Sequence, residues 1–332
     1  FCLSRGLGDV YKRQLVERAV SLLLEARAPV ILAGNGVVLS GGCEELLQLA
    51  EWIGAPVATS VPAKGAIPED HPLSLGTVGW YGAPAAHEVI REYCDVMLAV
   101  GCRFSDETTC WWTEGMPFVP ENRIIQVDVE YSELGKNYPV EIGIVGDAKT
   151  VLRSIVEEVR RRVGSRRVES PWVQQVLKLK GDLEAGVRYG ESSPVDPIRL
   201  AKELRSLLKK DALVFVDTGK HATYPSFSPL FPAYLPRTVI VAGHDGWTPM
   251  GFAPTAAIGA KIACGDRQVV SFSGDGGFYM ACHEVITAVE RDLAVVWIVI
   301  NDRCLGAIRA GQRDMFGARY IGTVFKLSLI HI

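Results

Sequence analysis

The sequence predicts an α/β fold of two doubly wound parallel-sheet domains. Its 332 residues, of which 48% are hydrophobic, are enough for two domains of ordinary size. Short apolar stretches alternate with amphipathic ones along most of the chain, as strands alternate with helices in a parallel-sheet protein. In addition, the apolar run Val269–Ser273 ends at a Gly-Asp-Gly turn, and a helical stretch and a second apolar run follow it. These segments form one βαβ unit.

Residues 15–162 form the first predicted domain. Helices are expected where apolar residues recur at helical spacing, and strands where short apolar runs lie between turn residues. The predicted helices are Leu15–Ala26, Glu44–Ile53, Pro84–Tyr93 and Ala148–Arg161. The predicted strands are Val30–Ala33, Pro56–Thr59, Val96–Val100, Arg123–Asp128 and Ile142–Val145. Residues 163–193 are rich in Arg, Gly and Ser, contain one weak helix over Trp172–Leu183, and are expected to link the two domains.

Residues 194–326 form the second predicted domain. Its first helices are Ile198–Leu208, with Pro197 in the first turn, and Phe252–Ala263. The predicted strands are Leu213–Val216, Val239–Ala242, Val269–Ser273 and Leu293–Ile300. One helix over Phe278–Val289 joins the last two strands, and its expected packing residues are Val285, Ile286, Ala288 and Val289. Only a short helix near Leu305–Arg309 follows, so we expect this domain to be truncated at its carboxyl end.

Both ends of the chain are expected to be non-native. Residues Asp9–Gln14 can be encoded by a DNA sequence whose reverse complement encodes Leu327–Ile332. Residues 1–14 and 327–332 therefore resemble translated sequencing-adapter DNA and are set aside from fold reasoning. The remainder is expected to be a fragment of a longer gene product.

Composition excludes several classes of protein. The formal net charge is −3 and no basic patch alternates with aromatic residues, which argues against nucleic-acid binding. No apolar run reaches the roughly 18 residues of a membrane span. The eight cysteines include no C-x-x-C pair, which is typical of reduced thiols in a cytoplasmic protein.

The turn at Gly274–Gly276 predicts a site for a metal ion and a diphosphate. A right-handed crossover brings Asp275 and Asn301 to the same carboxyl edge of a parallel sheet, where such sheets bind ligands. The glycines allow the backbone to approach phosphate oxygens closely. Mg²⁺ prefers oxygen ligands, and a carboxylate, an amide oxygen and a loop carbonyl meet that requirement.

Strand, Gly-Asp-Gly, helix, strand and Asn together resemble the cofactor motif of the thiamine diphosphate-dependent enzymes. The segment His244–Gly277 is similar to the diphosphate domain of acetolactate synthases in particular. The resemblance implies that Mg²⁺ is bound by Asp275, Asn301 and the backbone carbonyl of Arg303. It also implies that thiamine diphosphate is the cofactor, with the N–H groups of Gly276 and Gly277 on its phosphates.

Two further segments carry implied cofactor contacts. The turn Asp217–His221 is similar to a family turn that approaches the diphosphate, although a lysine replaces the usual glutamine. The contacts implied there are Thr218, Gly219, Lys220 and His221, with a solvated turn lysine and simple loop packing of the histidine as alternatives. Met250 matches the bulky apolar residue that forces the cofactor into a folded V shape, and ordinary core filling is the alternative.

One part of the family active site is missing from the sequence. The catalytic Glu that tunes the aminopyrimidine ring lies on an amino-terminal pyrimidine-binding domain, and in the family a partner subunit supplies it. That domain would precede Leu15 and is absent here. We therefore expect negligible turnover from this chain alone, and a homodimer or homotetramer for the full-length protein.

The first domain resembles the central domain of the same family over almost its full length. Its matching segments include Leu75–Gly82 and Val100–Asp106. In synthases this domain carries FAD, so FAD is a candidate cofactor. However, Leu39 replaces the third glycine of a dinucleotide pattern that begins at Gly34-x-Gly36, and Glu107 stands where the family pattern has Arg. The favoured alternative is that this domain has only a structural role and binds no FAD.

The resemblance implies an enzyme that decarboxylates a small 2-oxo acid and ligates the resulting enamine to a second carbonyl. Gly311 stands where the synthases have a Trp that shapes the acceptor pocket, so a wider pocket is expected. A non-ligating 2-oxo acid decarboxylase and a flavin- or nucleotide-binding protein without thiamine chemistry remain as alternatives. Trp111 and Trp112 are expected to serve buried packing or an interface.

Overall fold

The computed structural model describes residues 2–186, 190–191, 194–226, 229–242 and 249–326, with side chains from residue 13 onward. The chain divides into two compact units. Unit 1 comprises Phe1–Arg188 with Tyr234–Pro236, and unit 2 comprises Tyr189–Ala233 with Arg237–Ile332. Each unit has a parallel sheet with helices, which confirms the predicted fold class.

Unit 1 contains a six-stranded parallel sheet in the order β3-β2-β1-β4-β5-β6. Its strands are β1 (Pro29–Ala33), β2 (Val57–Thr59), β3 (Ser74–Thr77), β4 (Val96–Val100), β5 (Arg123–Asp128) and β6 (Ile142–Val145). The first and fourth strands are buried along their whole length, as expected for the centre of a sheet covered on both faces. The sequence analysis did not predict β3, because its short Ser-Leu-Gly-Thr stretch has little apolar character.

The helices of unit 1 are α1 (Cys2–Glu25), α2 (Asn35–Ser40), α3 (Cys43–Ile53), α4 (Pro84–Glu92), α5 (Ala148–Arg162) and α6 (Pro171–Ala185). Helix α1 begins well before the predicted start at Leu15. Helix α6, expected in a linker, packs within unit 1, where Trp172 Nε1 donates to the carbonyl of Pro29 at 3.1 Å and Val173 is buried. The apolar faces of α1, α3 and α5 share one core with the sheet.

Unit 2 contains a four-stranded parallel sheet in the order β10-β9-β7-β8. Its strands are β7 (Leu213–Val216), β8 (Val239–Val241), β9 (Val269–Gly274) and β10 (Val296–Ile300). Its helices are α7 (Pro197–Leu207), α8 (Thr223–Ser226), α9 (Phe252–Cys264), α10 (Asp275–Ala281), α11 (Val285–Glu290) and α12 (Gly306–Met315).

The single helix predicted over Phe278–Val289 is wrong. The segment forms α10 and α11 with a 3₁₀ turn between them at Cys282–Glu284. The turn changes the helical phase, so Ala288 is buried while Ile286 and Val289 are 63% and 69% exposed. Of the predicted packing residues, Ala288 is therefore confirmed as buried, whereas Ile286 and Val289 are not buried.

Apart from the short helix α8, which was not predicted, the other differences in unit 2 lie at element ends. Strand β10 begins at Val296, later than the predicted Leu293, and α12 extends to Met315, beyond the predicted Arg309. Across the residues that the structure describes, no helix combines the length and the apolar character needed to cross a bilayer.

In unit 1, His87 of α4 holds the turn that follows β3. Its Nε2 atom accepts a hydrogen bond from the backbone N–H of Gly79 at 3.1 Å. A β-carbon on Gly82 would overlap the same nitrogen, so the loop is closely fitted to a neutral ring. Burial lowers the pKa of His87 below its ordinary value.

We expect His87→Gln to reduce the acid sensitivity of unit 1. In the wild type the unfolded chain binds a proton at the ordinary histidine pKa, whereas the folded chain resists it. Stability is therefore lost as pH falls through and below the ordinary histidine value of about 6.5. Gln can accept the Gly79 hydrogen bond without titrating. Urea unfolding between about pH 7 and about pH 5 should show a smaller loss of stability in the variant, and an equal loss would contradict this role.

Candidate functional site

A cavity of about 320 Å³ lies at the carboxyl edge of the unit 2 sheet. Its walls come from the segments that follow β7, β9 and β10, together with Met250 and the start of α12. Strand order reverses between β7 and β9, and open α/β sheets bind ligands at such a switch point. The predicted site residues after β7 and after β9, together with Met250, all line this cavity. They are Thr218, Gly219, Lys220, His221, Met250, Asp275, Gly276 and Gly277.

Three polar side-chain atoms in this cavity wall are buried without a hydrogen-bond partner in the described part of the chain. They are Thr218 Oγ1, His221 Nε2 and Asp275 Oδ2. A buried polar atom without a partner costs about 1–3 kcal/mol. Three such atoms around one cavity therefore indicate that a polar ligand satisfies them.

Burial fixes the charge state of His221. The side chain is 7% exposed, and burial lowers its pKa to about 4. The ring is therefore neutral near pH 7. Gly219 has a φ of 148°, and a β-carbon there would lie 2.8 Å from the His221 ring, so the turn requires glycine.

Asp275 is the central carboxylate of the cavity. It is 1% exposed, and its Oδ1 atom accepts a hydrogen bond from the backbone N–H of Gly276 at 2.8 Å. Burial raises the pKa of this carboxyl group above its ordinary value. Its free oxygen and its low exposure suit a bound cation, which would compensate for the lost hydration.

Asn301, the predicted amide ligand, does not line the cavity. The residues that do are Ile300, Asp302 and Cys304, which alternate along the chain that leaves β10. The segment bends at Arg303, whose φ is 59°, so it is not a regular extended strand there. Asp302 is therefore a further carboxylate on the cavity and a candidate cation ligand, while the Asn301 ligand stays a prediction.

The carbonyl of Arg303, the predicted third ligand, is also directed elsewhere. It accepts a hydrogen bond at 2.9 Å from the backbone N–H of Phe325, within the antiparallel bridge of Cys304 with Val324. Cys304 lines the cavity and Arg303 does not, so the Cys304 carbonyl is a candidate beside the predicted Arg303 carbonyl. No cluster of three or more His, Cys, Asp or Glu residues that could hold a metal occurs in the described ranges.

The two glycines after Asp275 are crowded by different neighbours. A β-carbon on Gly276 would lie 3.0 Å from Leu305 Cδ2, 3.1 Å from Met250 Cε and 3.3 Å from Phe325 Cζ, all at ends of side chains. A β-carbon on Gly277 would overlap the Oδ2 atom of the buried Asp217. The N–H of Gly276 already donates to Asp275, whereas Gly277 lies in the first turn of α10, where backbone N–H groups lack an i−4 acceptor.

Lys220 and Met250 complete the wall of the cavity. Lys220 is exposed and lies on the same cavity as Asp302, where its charge partly offsets the two carboxylates. Met250 brings a thioether methyl group to the cavity beside Gly276. Residues 243–248, which include His244 at the start of the matching segment, lie outside the described residues.

The glycine pair of unit 1 has a packing role. The Gly34 N–H donates to the carbonyl of Val100 at 2.9 Å, and a β-carbon on Gly34 would overlap the backbone of Gly101. Gly36 approaches Gly101 in the same way, with its β-carbon position 2.7 Å from Gly101 Cα. The close approach of these two backbone segments thus requires glycine at both positions, whether or not a nucleotide is bound.

Trp111 and Trp112, predicted to serve buried packing or an interface, are not buried within unit 1 itself. They are 59% and 50% exposed, and Trp111 contacts the exposed Trp80 with ring centroids 5.2 Å apart. Residues 110–112 all have positive φ, and this left-handed turn directs the rings away from the core. That these two side chains lie at an interface stays a prediction.

Two family models match the chain. They are the thiamine pyrophosphate enzyme central domain, over residues 16–155, and the C-terminal TPP binding domain of the same enzymes, over residues 217–330. The first match lies within unit 1, and the second lies within unit 2 apart from Tyr234–Pro236. All residues that line the cavity except Pro197 lie within the second match.

The chain is also similar to several curated proteins. A probable acetolactate synthase large subunit of Methanocaldococcus jannaschii is 38% identical over 310 residues, which cover 92% of this chain and 51% of that protein. The acetolactate synthase large subunit of Corynebacterium glutamicum is 32% identical, with 97% and 50% covered. A sulfoacetaldehyde acetyltransferase of Roseovarius nubinhibens is 32% identical, with 93% and 54% covered. The chain thus spans about half the length of these relatives.

We expect Gly277→Ala to destabilise unit 2 much more than Gly276→Ala. The new methyl group at residue 277 collides with a buried carboxylate, which should lower the free energy of unfolding by about 3 kcal/mol. At residue 276 it meets only side-chain ends, and the helix preference of Ala offsets part of the cost, which leaves about 1 kcal/mol. Urea denaturation of both variants measures this, and equal losses would show that Asp217 does not constrain Gly277.

Proposed function

The chain belongs to the thiamine pyrophosphate enzyme family, and we propose from this premise that unit 2 binds thiamine diphosphate with Mg²⁺ in the cavity at the switch point of its sheet. The observation that carries the proposal is the set of three buried, unpartnered polar atoms, on Thr218, His221 and Asp275, around one cavity. A hydrated diphosphate–cation pair supplies partners for all three. An ordinary apolar ligand would satisfy none of them.

In this proposal Mg²⁺ is held by the carboxylates of Asp275 and Asp302 and by the carbonyl of Cys304. Oxygen ligands from few protein groups, completed by phosphate and water, are the usual surroundings of this ion. Two carboxylates balance the charge of the cation, and Lys220 adds a positive charge on the diphosphate side. The site therefore differs from the predicted set of Asp275, Asn301 and Arg303 in both charge and geometry.

The diphosphate would contact the turn after β7. Thr218 Oγ1 can donate one hydrogen bond to a phosphate oxygen. His221, neutral because of its burial, can donate through a protonated Nε2 without adding charge to the site. Gly277 lies in the first turn of α10, where backbone N–H groups lack intrahelical acceptors.

Met250 forms the apolar side of the same cavity. Its side chain keeps water from one wall and gives the organic rings of the cofactor a surface to contact. When bound, thiamine diphosphate supplies an electron sink that allows a 2-oxo acid to lose carbon dioxide. The residues described here bind and orient that group and exclude water from it.

We propose that the full-length protein is an acetolactate synthase-like carboligase acting on small 2-oxo acids. The named relatives support this class, and they include both synthases and acetyltransferases of sulfoacetaldehyde. A β-carbon on Gly311 would meet nothing within 4 Å, which is consistent with a wide acceptor pocket. Our proposal also includes a cytoplasmic homodimer or homotetramer, with unit 1 in a structural role without FAD.

Calorimetry with thiamine diphosphate tests the cation site. Wild-type protein should bind the cofactor only when Mg²⁺ is present. Asp275→Ala should weaken binding by about 100-fold or more and Asp302→Ala by at least about tenfold, because each removes a direct oxygen ligand.

Asn301→Ala is the matched control. Asn301 neighbours Asp302 but does not line the cavity, so its loss should change the dissociation constant less than about twofold. Full binding by Asp302→Ala together with loss of binding by Asn301→Ala would restore the predicted amide ligand. Unchanged binding by Asp275→Ala would refute the metal role altogether.

Product analysis with pyruvate tests the reaction. We expect the full-length gene product to release carbon dioxide and form a ligated hydroxy-keto acid. Acetaldehyde as the main product would instead support the non-ligating decarboxylase. Failure to consume pyruvate or any other small 2-oxo acid in the presence of cofactor and Mg²⁺ would contradict the proposed class.

A further inference from the structure

Asp217 ties the end of β7 to the start of α9. The residue is fully buried, and its backbone N–H donates to the carbonyl of Phe272 in the neighbouring strand at 2.9 Å. Its Oδ2 atom accepts the N–H of Gly251 at 2.9 Å, and its Oδ1 atom accepts the N–H of Phe252 at 3.1 Å. Both oxygens of a sheet-anchored carboxylate are therefore used to hold the first residues of another element.

The surroundings leave this carboxylate little freedom. A β-carbon on Gly277 would overlap the Asp217 Oδ2 atom and would lie 3.5 Å from the Gly251 nitrogen. Gly251 has a φ of 87°, so the chain makes a left-handed turn immediately after Met250 as it enters α9. Three segments of the chain, around residues 217, 251 and 277, thus meet at one point.

Met250 directly precedes this point. Its side chain lines the cavity, with Cε 3.1 Å from the β-carbon position of Gly276. A shift of Gly251 would carry Met250 with it, because the two share a peptide bond. Thr218 lines the same cavity and directly follows Asp217, whose backbone N–H is bonded to the neighbouring strand.

We propose that Asp217 is a positioning residue for Met250. Its carboxylate fixes the backbone at residues 250–252 and so holds the Met250 side chain at the cavity wall, where it determines how the cofactor rings sit. The inference rests on the proposed function for its ligand, but the placement of Met250 by Asp217 is a property of the chain alone. If Asp217 only capped α9, it would stabilise the fold without fixing the position of the Met250 side chain.

The first test measures the Met250 methyl group without any ligand. The chain has five methionines, so ¹³C-methyl labelling gives few signals, and Met250→Leu assigns the relevant one. Asp217→Asn replaces one acceptor oxygen with an amide donor and should shift the Met250 methyl resonance. Asp147→Asn is the matched control, because Asp147 caps α5 in unit 1 by accepting the N–H of Thr150 at 2.9 Å.

The second test compares two ligands by calorimetry in the presence of Mg²⁺. Asp217→Asn should bind thiamine diphosphate about tenfold more weakly, while its affinity for inorganic pyrophosphate changes less than about twofold. Pyrophosphate lacks the rings that contact Met250, so it reports only on the cation and phosphate groups. Asp147→Asn should leave both dissociation constants unchanged.

An unshifted Met250 resonance, or equal weakening of both ligands, would overturn the positioning role. If Asp217→Asn does not fold, Asp217→Ser serves instead, because serine keeps one capping oxygen and relieves the contact with Gly277. Its expected results are the same. Wild-type protein that binds neither ligand would contradict the proposed function, and the methyl spectrum would still decide whether Asp217 positions Met250.

Discussion

The register of β9 against its two neighbours is the constraint on which the candidate site depends. Val216 pairs with Phe272, and Ile300 pairs with Gly274. Strands β9 and β10 therefore end together, β7 ends opposite Phe272 just before them, and the residues after all three share one edge. A slip of one residue would turn every following side chain to the other face of the sheet. The buried carboxylates, the cavity and the crowded glycines all follow from this alignment.

Two oppositely placed carboxylates give the site its organisation. Asp275, which lines the cavity, has one buried oxygen without a hydrogen-bond partner in the described part of the chain, while Asp217 accepts main-chain N–H groups with both of its oxygens. One is therefore available to a ligand and the other belongs to the protein framework. Because Gly277 has no side chain, there is room for the Asp217 carboxylate beside it, whether or not a phosphate also approaches this residue.

Much of the fold could be predicted from the sequence, because parallel strands buried on both faces are continuous apolar runs. The strands Val96–Val100, Arg123–Asp128 and Ile142–Val145 have the predicted bounds. The failures arise where tertiary contacts decide. Strand β3 pairs through its backbone despite a polar sequence, and the 3₁₀ turn at Cys282–Glu284 changes the helical phase without any Gly or Pro to mark it.

At the site, the sequence indicated which segments meet but not which side chains face inward. Asn301 and Asp302 are adjacent in the chain, but only Asp302 lines the cavity. The role of Asp217 depends on contacts 34 residues away in the chain and had no local signal.

A crystal structure with Mn²⁺ in place of Mg²⁺ and with thiamine diphosphate bound tests the proposed cation site directly. We expect an anomalous peak about 2.2 Å from carboxylate oxygens of both Asp275 and Asp302, with the Cys304 carbonyl as a further ligand. A peak coordinated by Asn301 instead of Asp302, or no ordered cation beside Asp275, would contradict it.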